Sequence, residues 1–220
     1  MKDELVIYSK PKARISENIR TIRTNLQFTT NANKVLLVTS SIPGEGKSFI
    51  SSNLAASFAL ADEKVLLIDC DLRLGRLHKI FNVSNENGFS NLLASEINYD
   101  DFDQIKKTEI NNLYVLPRGV VPPNPSELLN SPNAKELFNI FRDNFDRIIV
   151  DGVPVNGLPD SLIVSDLVDE VIIVCCAHYT NIDDLNETKK SLEKVGAKIA
   201  GVVVNKVTGS KSDRYDNYYK

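Results

Sequence analysis

The sequence predicts an α/β fold, with a mostly parallel central sheet and helices packed on both of its faces in three layers. Short apolar segments rich in Val, Ile and Leu alternate along the chain with longer segments of helical period. Strands that are apolar throughout are typical of parallel sheets whose two faces are both covered. Neither an internal repeat nor a second domain is indicated, so we expect one domain over residues 1–207.

Composition limits the classes of function that need to be considered. The chain of 220 residues has a formal net charge of −3, so no general affinity for nucleic acid is expected. Its longest apolar runs fall far short of the ~20 residues that span a bilayer, and its N-terminus lacks the apolar segment of a signal peptide. Cys70, Cys175 and Cys176 show no disulfide pattern. We therefore expect a reduced, cytoplasmic protein.

The N-terminal region is predicted to form an extended arm over residues 1–14 and an amphipathic helix over residues 15–29. The apolar stripe of this helix consists of Ile15, Ile19, Ile22, Leu26 and Phe28. Glu17, Arg20 and Arg23 recur at every third position, which places them along one side of the helix. They form either a solvated charged face or a self-complementary contact surface, and their spacing alone does not decide between the two.

The segment from Val35 to Ser48 has the organisation of a phosphate-binding loop, and it predicts a P-loop NTPase-like fold. An apolar, β-branched run ends in a loop of small residues, and a helical pattern begins directly after Gly-Lys-Ser. The loop amides and the positive end of the helix would bind phosphate, Lys47 would reach the β- and γ-phosphates, and the Ser48 hydroxyl would hold Mg²⁺. Ser41 replaces the first glycine of the usual pattern. The alternative is an ordinary strand-to-helix turn.

A second predicted strand, residues 64–73, carries two aspartates near its end. Alternate residues of an extended chain point the same way, so Asp69 and Asp71 are expected on one side and Cys70 on the other. Carboxylates at the C-terminal edge of such a sheet suggest Mg²⁺ binding or proton handling, because ligands bind at that edge. The alternative is an Asp-rich turn that caps a helix.

A third aspartate follows another apolar strand. This strand starts at Arg147 and terminates in Asp151, which is the form of a Walker B element. The Asp151 carboxylate would bind Mg²⁺ through water or orient the attacking group.

The remaining elements continue the alternation. Between residues 74 and 103 we expect short helical segments broken at Gly88, and Ser126 is expected to cap a helix that begins there. The other predicted elements are a strand over 113–116, a helix over 133–144, a strand over 170–176, a helix over 182–195 and a strand over 199–205.

The last residues, 208–220, form a tail without apolar periodicity, which we expect to be disordered. Three of the 7 tyrosines of the chain, Tyr215, Tyr218 and Tyr219, fall within it. A solvated tail has no packing reason to collect aromatic side chains. They are interpreted as phosphoacceptors, and the alternative is a partner-binding tail.

These motifs together resemble those of the bacterial tyrosine kinases (BY-kinases) of capsule and exopolysaccharide synthesis, over essentially the whole chain. Residues 41–48 resemble the Walker A motif of that family, residues 66–73 its Walker A′ motif, and residues 148–151 its Walker B motif. Residues 17–23 match its helix motif for ring-shaped self-assembly, and the tail matches its autophosphorylated tyrosine cluster.

The resemblance implies an ATP- and Mg²⁺-dependent protein-tyrosine kinase that phosphorylates its own tail in trans. The implied nucleotide-binding residues are Ser41, Pro43, Gly44, Glu45, Gly46, Lys47, Ser48, Phe49, Arg73 and Asn205. Catalysis would rest on Lys47, Asp69, Asp71 and Asp151, with Ser48, Asp69 and Asp151 at the metal. Either Asp69 or Asp71 would accept the tyrosine proton or orient the hydroxyl. Asn205 would lie near the adenine, and Arg73 would bind phosphates or anchor its loop.

The implied partners are other copies of the chain in a ring, a separate transmembrane polysaccharide co-polymerase that activates the kinase, and a phosphotyrosine phosphatase. The co-polymerase would bring the otherwise cytoplasmic protein to the inner face of the membrane. The tail carries fewer tyrosines than many relatives have. Gly152, Val153 and Pro154 stand where the family usually has a small hydroxyl residue and two prolines.

Two other functions fit the same phosphate loop. Related ATPases that position division sites or plasmids carry a second lysine early in the loop, where Ile42 stands here, and they lack a tyrosine tail. A nucleotide-sensing scaffold without phosphoryl transfer is the other alternative.

Overall fold

The computed structural model of the chain describes residues 4–29, 34–96 and 102–207. Within these residues the strands are β1 (Val35–Ser40), β2 (Val65–Asp69), β3 (Lys106–Lys107), β4 (Leu113–Leu116), β5 (Arg147–Pro154), β6 (Glu170–Cys176) and β7 (Ile199–Asn205). The helices there are α1 (Val6–Ser9), α2 (Arg14–Thr29), α3 (Lys47–Ala59), α4 (Leu77–Phe81), α5 (Phe89–Ala94), α6 (Pro125–Leu129), α7 (Pro132–Asn144), α8 (Asp160–Val164) and α9 (Ile182–Lys194).

The strands form one sheet in the order β3–β4–β2–β5–β1–β6–β7. Neighbouring strands run parallel, except that β3 pairs antiparallel with β4 at one edge. Because β5 lies between β1 and β2, the C-terminal ends of these three strands are side by side, where ligands of open α/β sheets bind. The predicted fold class, a mostly parallel sheet in a P-loop NTPase-like sandwich, is confirmed.

Apolar side chains on both faces of the sheet form the core. Leu36 and Val38 pack in a cluster on one face with side chains of α2 and α3, whereas Val35 and Leu37 pack in the opposite cluster with side chains of α7. This alternation follows from the two-residue period of a strand. It explains why β1 is apolar at every one of these positions, since both of its faces are covered.

The N-terminal arm differs from the prediction. Residues 1–14 were expected to be extended, but α1 forms there, and Leu5 and Ile7 are buried. The Ile7 amide donates to Asn53 Oδ1 at 3.1 Å, and Asn53 Nδ2 donates to the Glu4 carbonyl at 2.7 Å. The described part of the arm, from residue 4 onward, is therefore packed on the domain and hydrogen-bonded to α3. The apolar Leu5 and Ile7 were the signal for this packing.

Several other local predictions were wrong in identifiable ways. Ser126 does not cap α6, because the helix starts at Pro125 with Asn124 in the capping position. Strand β5 does not stop at Asp151 but continues to Pro154. The Phe28 side chain is 83% exposed, so it does not belong to the buried stripe of α2.

Two short elements, β3 and α8, were not predicted, since each is shorter than a period-based pattern can show. Among the described helices, none is both long enough and apolar enough to cross a bilayer.

Candidate nucleotide and phosphoryl-transfer site

The fold brings the predicted motifs together at one edge of the sheet. The phosphate loop follows β1, and the Asp69–Asp71 segment begins at the last residue of β2. Asp151 lies in β5, between these two strands. A cleft of about 560 Å³ opens there, and it is lined by Gly46, Lys47 and Ser48 on one side and by Asp71 on the other.

The phosphate loop has the backbone shape that its glycines allow. Gly44 and Gly46 have φ angles of +85° and +99°, in the left-handed region that side chains rarely adopt. Helix α3 begins directly afterwards at Lys47. The first amides of a helix lack intrahelical acceptors, and they carry the partial positive charge of the helix N-terminus. The loop and the helix therefore present backbone donors to an anion at this edge.

Asp69 and Asp151 form a buried carboxylate pair. They are direct register partners on the parallel strands β2 and β5, and both side chains are almost fully buried. Asp69 Oδ2 accepts from the Leu77 amide at 3.0 Å, but Oδ1 of each aspartate is buried without a hydrogen-bond partner. Unpartnered buried carboxylate oxygens are costly unless a proton or a cation is present.

The pKa values of the pair reflect this environment. Burial, followed by the neighbouring Asp151 carboxylate, raises the pKa of Asp69 well above its usual value. Burial also raises the pKa of Asp151, to about 6, although the Ser48 hydroxyl and the Lys47 ammonium act in the opposite direction. Two buried carboxyl groups side by side disfavour each other's charged form. A divalent cation would offset that repulsion.

Asp71 occupies a different position from Asp69. The two were expected to project together from the end of the strand, but β2 ends at Asp69, and Asp71 lies in the following loop. Its side chain is half-buried and lines the cleft. Asp71 Oδ1 accepts from the Arg73 amide at 3.2 Å and from the Leu74 amide at 2.8 Å, which fixes the carboxylate on the loop.

Arg73 makes the contacts of a loop anchor. Its Nε donates to Asp160 Oδ2 at 3.1 Å, and the Asp160 side chain is 1% exposed. The Ser126 hydroxyl donates to the other oxygen of Asp160. The Arg118 guanidinium donates to the Arg73 carbonyl at 2.9 Å. Sequence reasoning missed Asp160, because no local pattern distinguishes it from other aspartates at helix starts.

Gly152 has a packing reason to lack a side chain. A Cβ atom there would lie 2.7 Å from Ser161 Oγ and 2.8 Å from Leu37 Cδ1. The Ser161 hydroxyl accepts from the Val153 amide at 3.0 Å and donates to the Val153 carbonyl at 2.7 Å. Gly152 and Val153, which stand after Asp151, therefore both pack against Ser161 on α8.

Asn205 lies beside the phosphate loop, and its side chain is hydrogen-bonded to other groups of the protein. Its Nδ2 donates to the Glu45 carbonyl at 2.9 Å, and its Oδ1 accepts from the Lys206 amide at 2.9 Å. Ser41 is fully buried in the loop, and Phe49 lies on the first turn of α3 beside the cleft. The adenine contact predicted for Asn205 stays a prediction.

The residues present fit a Mg²⁺–nucleotide complex. In the described ranges 4–29, 34–96 and 102–207, no three His, Cys, Asp or Glu side chains form a metal cage. Mg²⁺ commonly takes only one or two carboxylates and completes its shell with water and phosphate oxygens. The unpartnered oxygens of Asp69 and Asp151 and the nearby Ser48 match that requirement, and the amides of the loop match the phosphates.

The predicted assembly residues, Glu17, Arg20 and Arg23, lie on α2. The Arg20 guanidinium forms an ion pair with Glu17 of the same chain at 2.5 Å. Arg23 Nη1 donates to the Ser57 carbonyl on α3 at 2.5 Å. The predicted phosphoacceptors Tyr215, Tyr218 and Tyr219 lie outside the described residues.

Comparison with known proteins places this geometry in a family. The family described as the CobQ/CobB/MinD/ParA nucleotide binding domain matches residues 36–219. CapB of Staphylococcus aureus, a putative tyrosine-protein kinase, is 38% identical over 217 residues, which cover 98% of this chain and 94% of CapB. The tyrosine-protein kinase Etk of Escherichia coli is 36% identical over 202 residues, which are 90% of this chain but 27% of Etk.

Solved structures agree with the sequence comparison. The crystal structure of the chimerical protein CapA2B2 superposes with a TM-score of 0.89 at 38% identity, covering 94% of this chain and 91% of the other. The kinase domain of Escherichia coli Etk superposes with a TM-score of 0.85 at 34% identity, covering 94% of this chain and 83% of the other. The phosphate loop, the Asp69–Asp71 segment and Asp151 therefore belong to a nucleotide-binding domain of known type.

Proposed function

Because the chain belongs to the bacterial tyrosine kinases of the CobQ/CobB/MinD/ParA nucleotide-binding family, we propose that it transfers the γ-phosphoryl group of ATP to protein tyrosines. The observation that carries this proposal is the convergence of Lys47 and Ser48 with Asp69 and Asp151, beside a cleft that Asp71 lines. Phosphoryl transfer depends mainly on positioning and on charge stabilisation, and these residues supply both.

The two sides of the cleft have different roles in this proposal. The loop amides and Lys47 bind and orient the phosphates, while Ser48, Asp69 and Asp151 hold Mg²⁺. Bound Mg²⁺ neutralises charge on the phosphates during transfer. The unpartnered oxygens of Asp69 and Asp151 support this assignment, since a cation satisfies them and reduces the repulsion between the two carboxylates.

Asp71 is the group that handles the tyrosine proton. It lines the open cleft, whereas Asp69 is fully buried and does not belong to the lining. A tyrosine hydroxyl has a pKa near 10, so it needs an acceptor for its proton or a carboxylate that orients it. The Arg73 and Leu74 amides hold Asp71 Oδ1, which leaves Oδ2 for the substrate.

The substrates are the tail tyrosines Tyr215, Tyr218 and Tyr219 of a neighbouring copy. The described chain ends at Val207, directly after Lys206, which lines the cleft. A tail that leaves beside its own cleft would have to reverse tightly to enter it. The fifteen residues from Lys206 to Lys220 could instead reach up to ~50 Å if extended, far enough for an adjacent copy. Each phosphate adds roughly −1.5 to −2 charges, so phosphorylation would repel the tail from the acidic site and loosen the assembly.

The family assignment supports a proposal for the assembly and its partners. In this proposal Glu17, Arg20 and Arg23 contact the next copy in a ring. Some of their contacts within the chain, which are the Arg20–Glu17 ion pair and the hydrogen bond from Arg23 to the Ser57 carbonyl, would then be replaced by contacts between copies. A transmembrane polysaccharide co-polymerase activates the kinase at the inner face of the membrane, and a phosphotyrosine phosphatase reverses its action. The pathway served is the synthesis and export of capsular or extracellular polysaccharide.

Incubation with Mg²⁺ and γ-labelled ATP tests the proposed reaction. We expect label on tyrosine in the full-length protein and a loss of at least about a hundredfold in Lys47→Met, because the lysine ammonium acts on the transferred phosphate. Release of free phosphate without phosphotyrosine would instead identify a positioning ATPase. Binding of ATP with neither product would identify a nucleotide-sensing scaffold.

The same assay, run on a mixture, tests transfer between copies. Full-length Lys47→Met is mixed with an active chain that ends at Thr208, and phosphotyrosine should appear on the inactive partner. Changing Glu17, Arg20 and Arg23 of both chains to alanine should suppress this labelling and reduce the mass seen by light scattering. Labelling of full-length protein at a rate independent of concentration, with an unlabelled inactive partner, would show transfer within one chain.

A further inference from the structure

Four consecutive backbone carbonyls of the phosphate loop, those of residues 42–45, accept hydrogen bonds from side chains. Along the loop the donors are Ser40 Oγ at 2.9 Å, Tyr179 OH at 3.4 Å, Lys206 Nζ at 2.9 Å and Asn205 Nδ2 at 2.9 Å. Three of these donors come from the far end of the chain, from the loop after β6 and from the end of β7. The C-terminal part of the domain therefore holds the outer side of the loop.

These contacts fix the direction of the amides as well as that of the carbonyls. In a trans peptide the C=O of one residue and the N–H of the next point in opposite directions. Holding the carbonyls of residues 43–45 therefore sets the direction of the amides of residues 44–46, on the side away from the donors. Gly44 and Gly46 belong to the lining of the cleft, so these amides are the donors available to phosphate oxygens.

A buried carboxylate braces the same loop from inside. Glu45 is fully buried, and its Oε2 accepts from the Ile42 amide at 2.8 Å. Its Oε1 accepts from the Thr180 hydroxyl, and Thr180 Oγ1 in turn accepts from the Cys176 amide at 2.7 Å. The loop after β6 thus holds the phosphate loop through Thr180 as well as through Tyr179.

The Asn205 side chain is in close contact with the backbone of the phosphate loop, so it has a role there besides any contact with a nucleobase. A Cβ atom at Gly46 would lie 2.1 Å from Asn205 Nδ2, so the amide group rests directly against the backbone. Both the nitrogen and the oxygen of this side chain have partners within the protein.

We propose that Asn205, Lys206 and Tyr179 are positioning residues that pre-organise the amides of the phosphate loop for the polyphosphate of the nucleotide. The inference rests on the proposed nucleotide-dependent function and assigns to these residues a role in it. A loop that is already held in its binding shape loses less conformational entropy when the phosphates bind. Removing one of the donors should therefore weaken the binding of phosphates by loosening the loop.

Binding of Mg²⁺–tripolyphosphate, which has no base, tests this role against an adenine contact. In Asn205→Ala we expect the affinities for Mg²⁺–ATP and for Mg²⁺–tripolyphosphate to fall by the same factor, about threefold to tenfold, as for one lost neutral hydrogen bond. The preference for ATP over GTP should stay unchanged. Tyr179→Phe removes one longer contact and should lower both affinities by about twofold.

Conservative variants and a matched control complete the experiment. Lys206→Arg keeps a donor, so it should bind tripolyphosphate more tightly than Lys206→Met. Asn186→Ala changes an exposed asparagine on α9 and should leave both affinities as in the wild type. All variants should unfold at the temperature of the wild type within a few degrees.

Three results would overturn the inference. Weaker ATP binding with unchanged tripolyphosphate binding, or a lowered ATP-to-GTP preference, would assign Asn205 to the adenine instead. Unchanged affinity for both ligands would show that the carbonyl contacts do not pre-organise the loop. Absence of ATP binding by the wild type would refute the proposed function itself. This outcome is distinguishable, because the inference is tested by the affinity of each variant relative to that of the wild type.

Discussion

The two sides of the cleft are built in opposite ways. The phosphate loop is a single continuous segment, residues 41–48, in which the carbonyls of residues 42–45 and the buried Glu45 carboxylate all have protein partners. The other side is assembled from separate strands. Asp71 lines the cleft there, and the paired carboxylates of Asp69 and Asp151, which are buried and do not belong to its lining, each keep an oxygen without a partner. The Ser41 hydroxyl of the loop is also buried without a partner, but it is neutral. The unpartnered oxygens of the other side belong to carboxyl groups, which a cation would satisfy.

This difference indicates how the two sides respond to ligands. A loop held by hydrogen bonds changes little when phosphates bind, so it provides affinity at small entropic cost. A buried carboxylate pair remains strained until a cation or a proton neutralises it. We therefore infer that phosphate binding depends mainly on the loop, whereas transfer and metal dependence depend on the aspartates.

The largest expected effect separates transfer from binding. Asp71→Asn keeps the oxygen that accepts from the Arg73 and Leu74 amides but removes the negative charge from the cleft. We expect the rate of tyrosine phosphorylation to fall by about 10²- to 10³-fold, as for loss of a group that handles a proton, and the affinity for ATP to change by less than about threefold. The two quantities are measured by phosphotyrosine formation and by calorimetric titration.

Asp62→Asn is the matched control for this prediction. Asp62 is exposed and has a φ of 66°, a conformation that asparagine adopts readily. It should leave both the rate and the affinity unchanged. A normal phosphorylation rate in Asp71→Asn would remove Asp71 from the proposed mechanism, and a large loss of ATP affinity would show that the two sides do not divide their roles.

Sequence reasoning predicted each side of the cleft to a different extent, for physical reasons. The phosphate loop was predicted well because strand, loop and helix are contiguous in the chain and each has its own local pattern. The aspartates were also placed at the correct edge, since apolar strands that end in Asp mark it. The burial of Asp69 below Asp71 was not predicted, because it depends on where β2 ends and on how the following loop folds back.

The contacts between distant segments could not be predicted at all. Glu45 with Thr180, and Arg73 with Asp160, are brought together only by the order of strands and the path of loops. Ser126 shows that a local pattern can also predict the wrong contact. Its type and position fitted a helix cap, but the neighbouring Pro125 starts the helix earlier, and Ser126 binds Asp160 instead.

A smaller effect, on stability, tests whether the carboxylate pair is strained without a cation. The pKa of Asp151 is raised from 3.8 to about 6 by burial, so the folded state holds a proton that the unfolded state releases as the pH rises. The stability that this group contributes is full below pH 3.8 and is lost as the pH rises through about 6. Asp151→Asn has no such loss, so the difference in unfolding free energy between the variant and the wild type should shift in favour of the variant by roughly 2 kcal/mol between pH 4 and pH 8.

Urea unfolding without Mg²⁺, repeated across this pH range, measures that difference. Asp143→Asn, at an exposed position on α7, is the control and should follow the wild type at every pH. Added Mg²⁺ should stabilise the wild type at pH 8 more than it stabilises Asp151→Asn. Parallel pH profiles for the wild type and Asp151→Asn would show that the pair is not strained, and the contrast between the two sides of the cleft would then fail.

The smallest expected effect concerns the space around Asp69. A Cβ atom at Gly75 would lie 2.3 Å from Asp69 Oδ1 and 2.6 Å from its other carboxylate oxygen. Asp69 is fully buried and held by the Leu77 amide, so it has little room to move away. Gly75→Ala should therefore cost roughly 1–3 kcal/mol of unfolding free energy, as for an overpacked core, and should raise the Mg²⁺ concentration needed for activity.

The control is Gly201→Ala, at an open site on β7 with no atom within 4 Å of the new Cβ, which should be neutral or slightly stabilising. If both variants unfold alike and need the same Mg²⁺, then the position of Asp69 is not set by the backbone packed over it. The carboxylate side would in that case be as adaptable as an exposed loop.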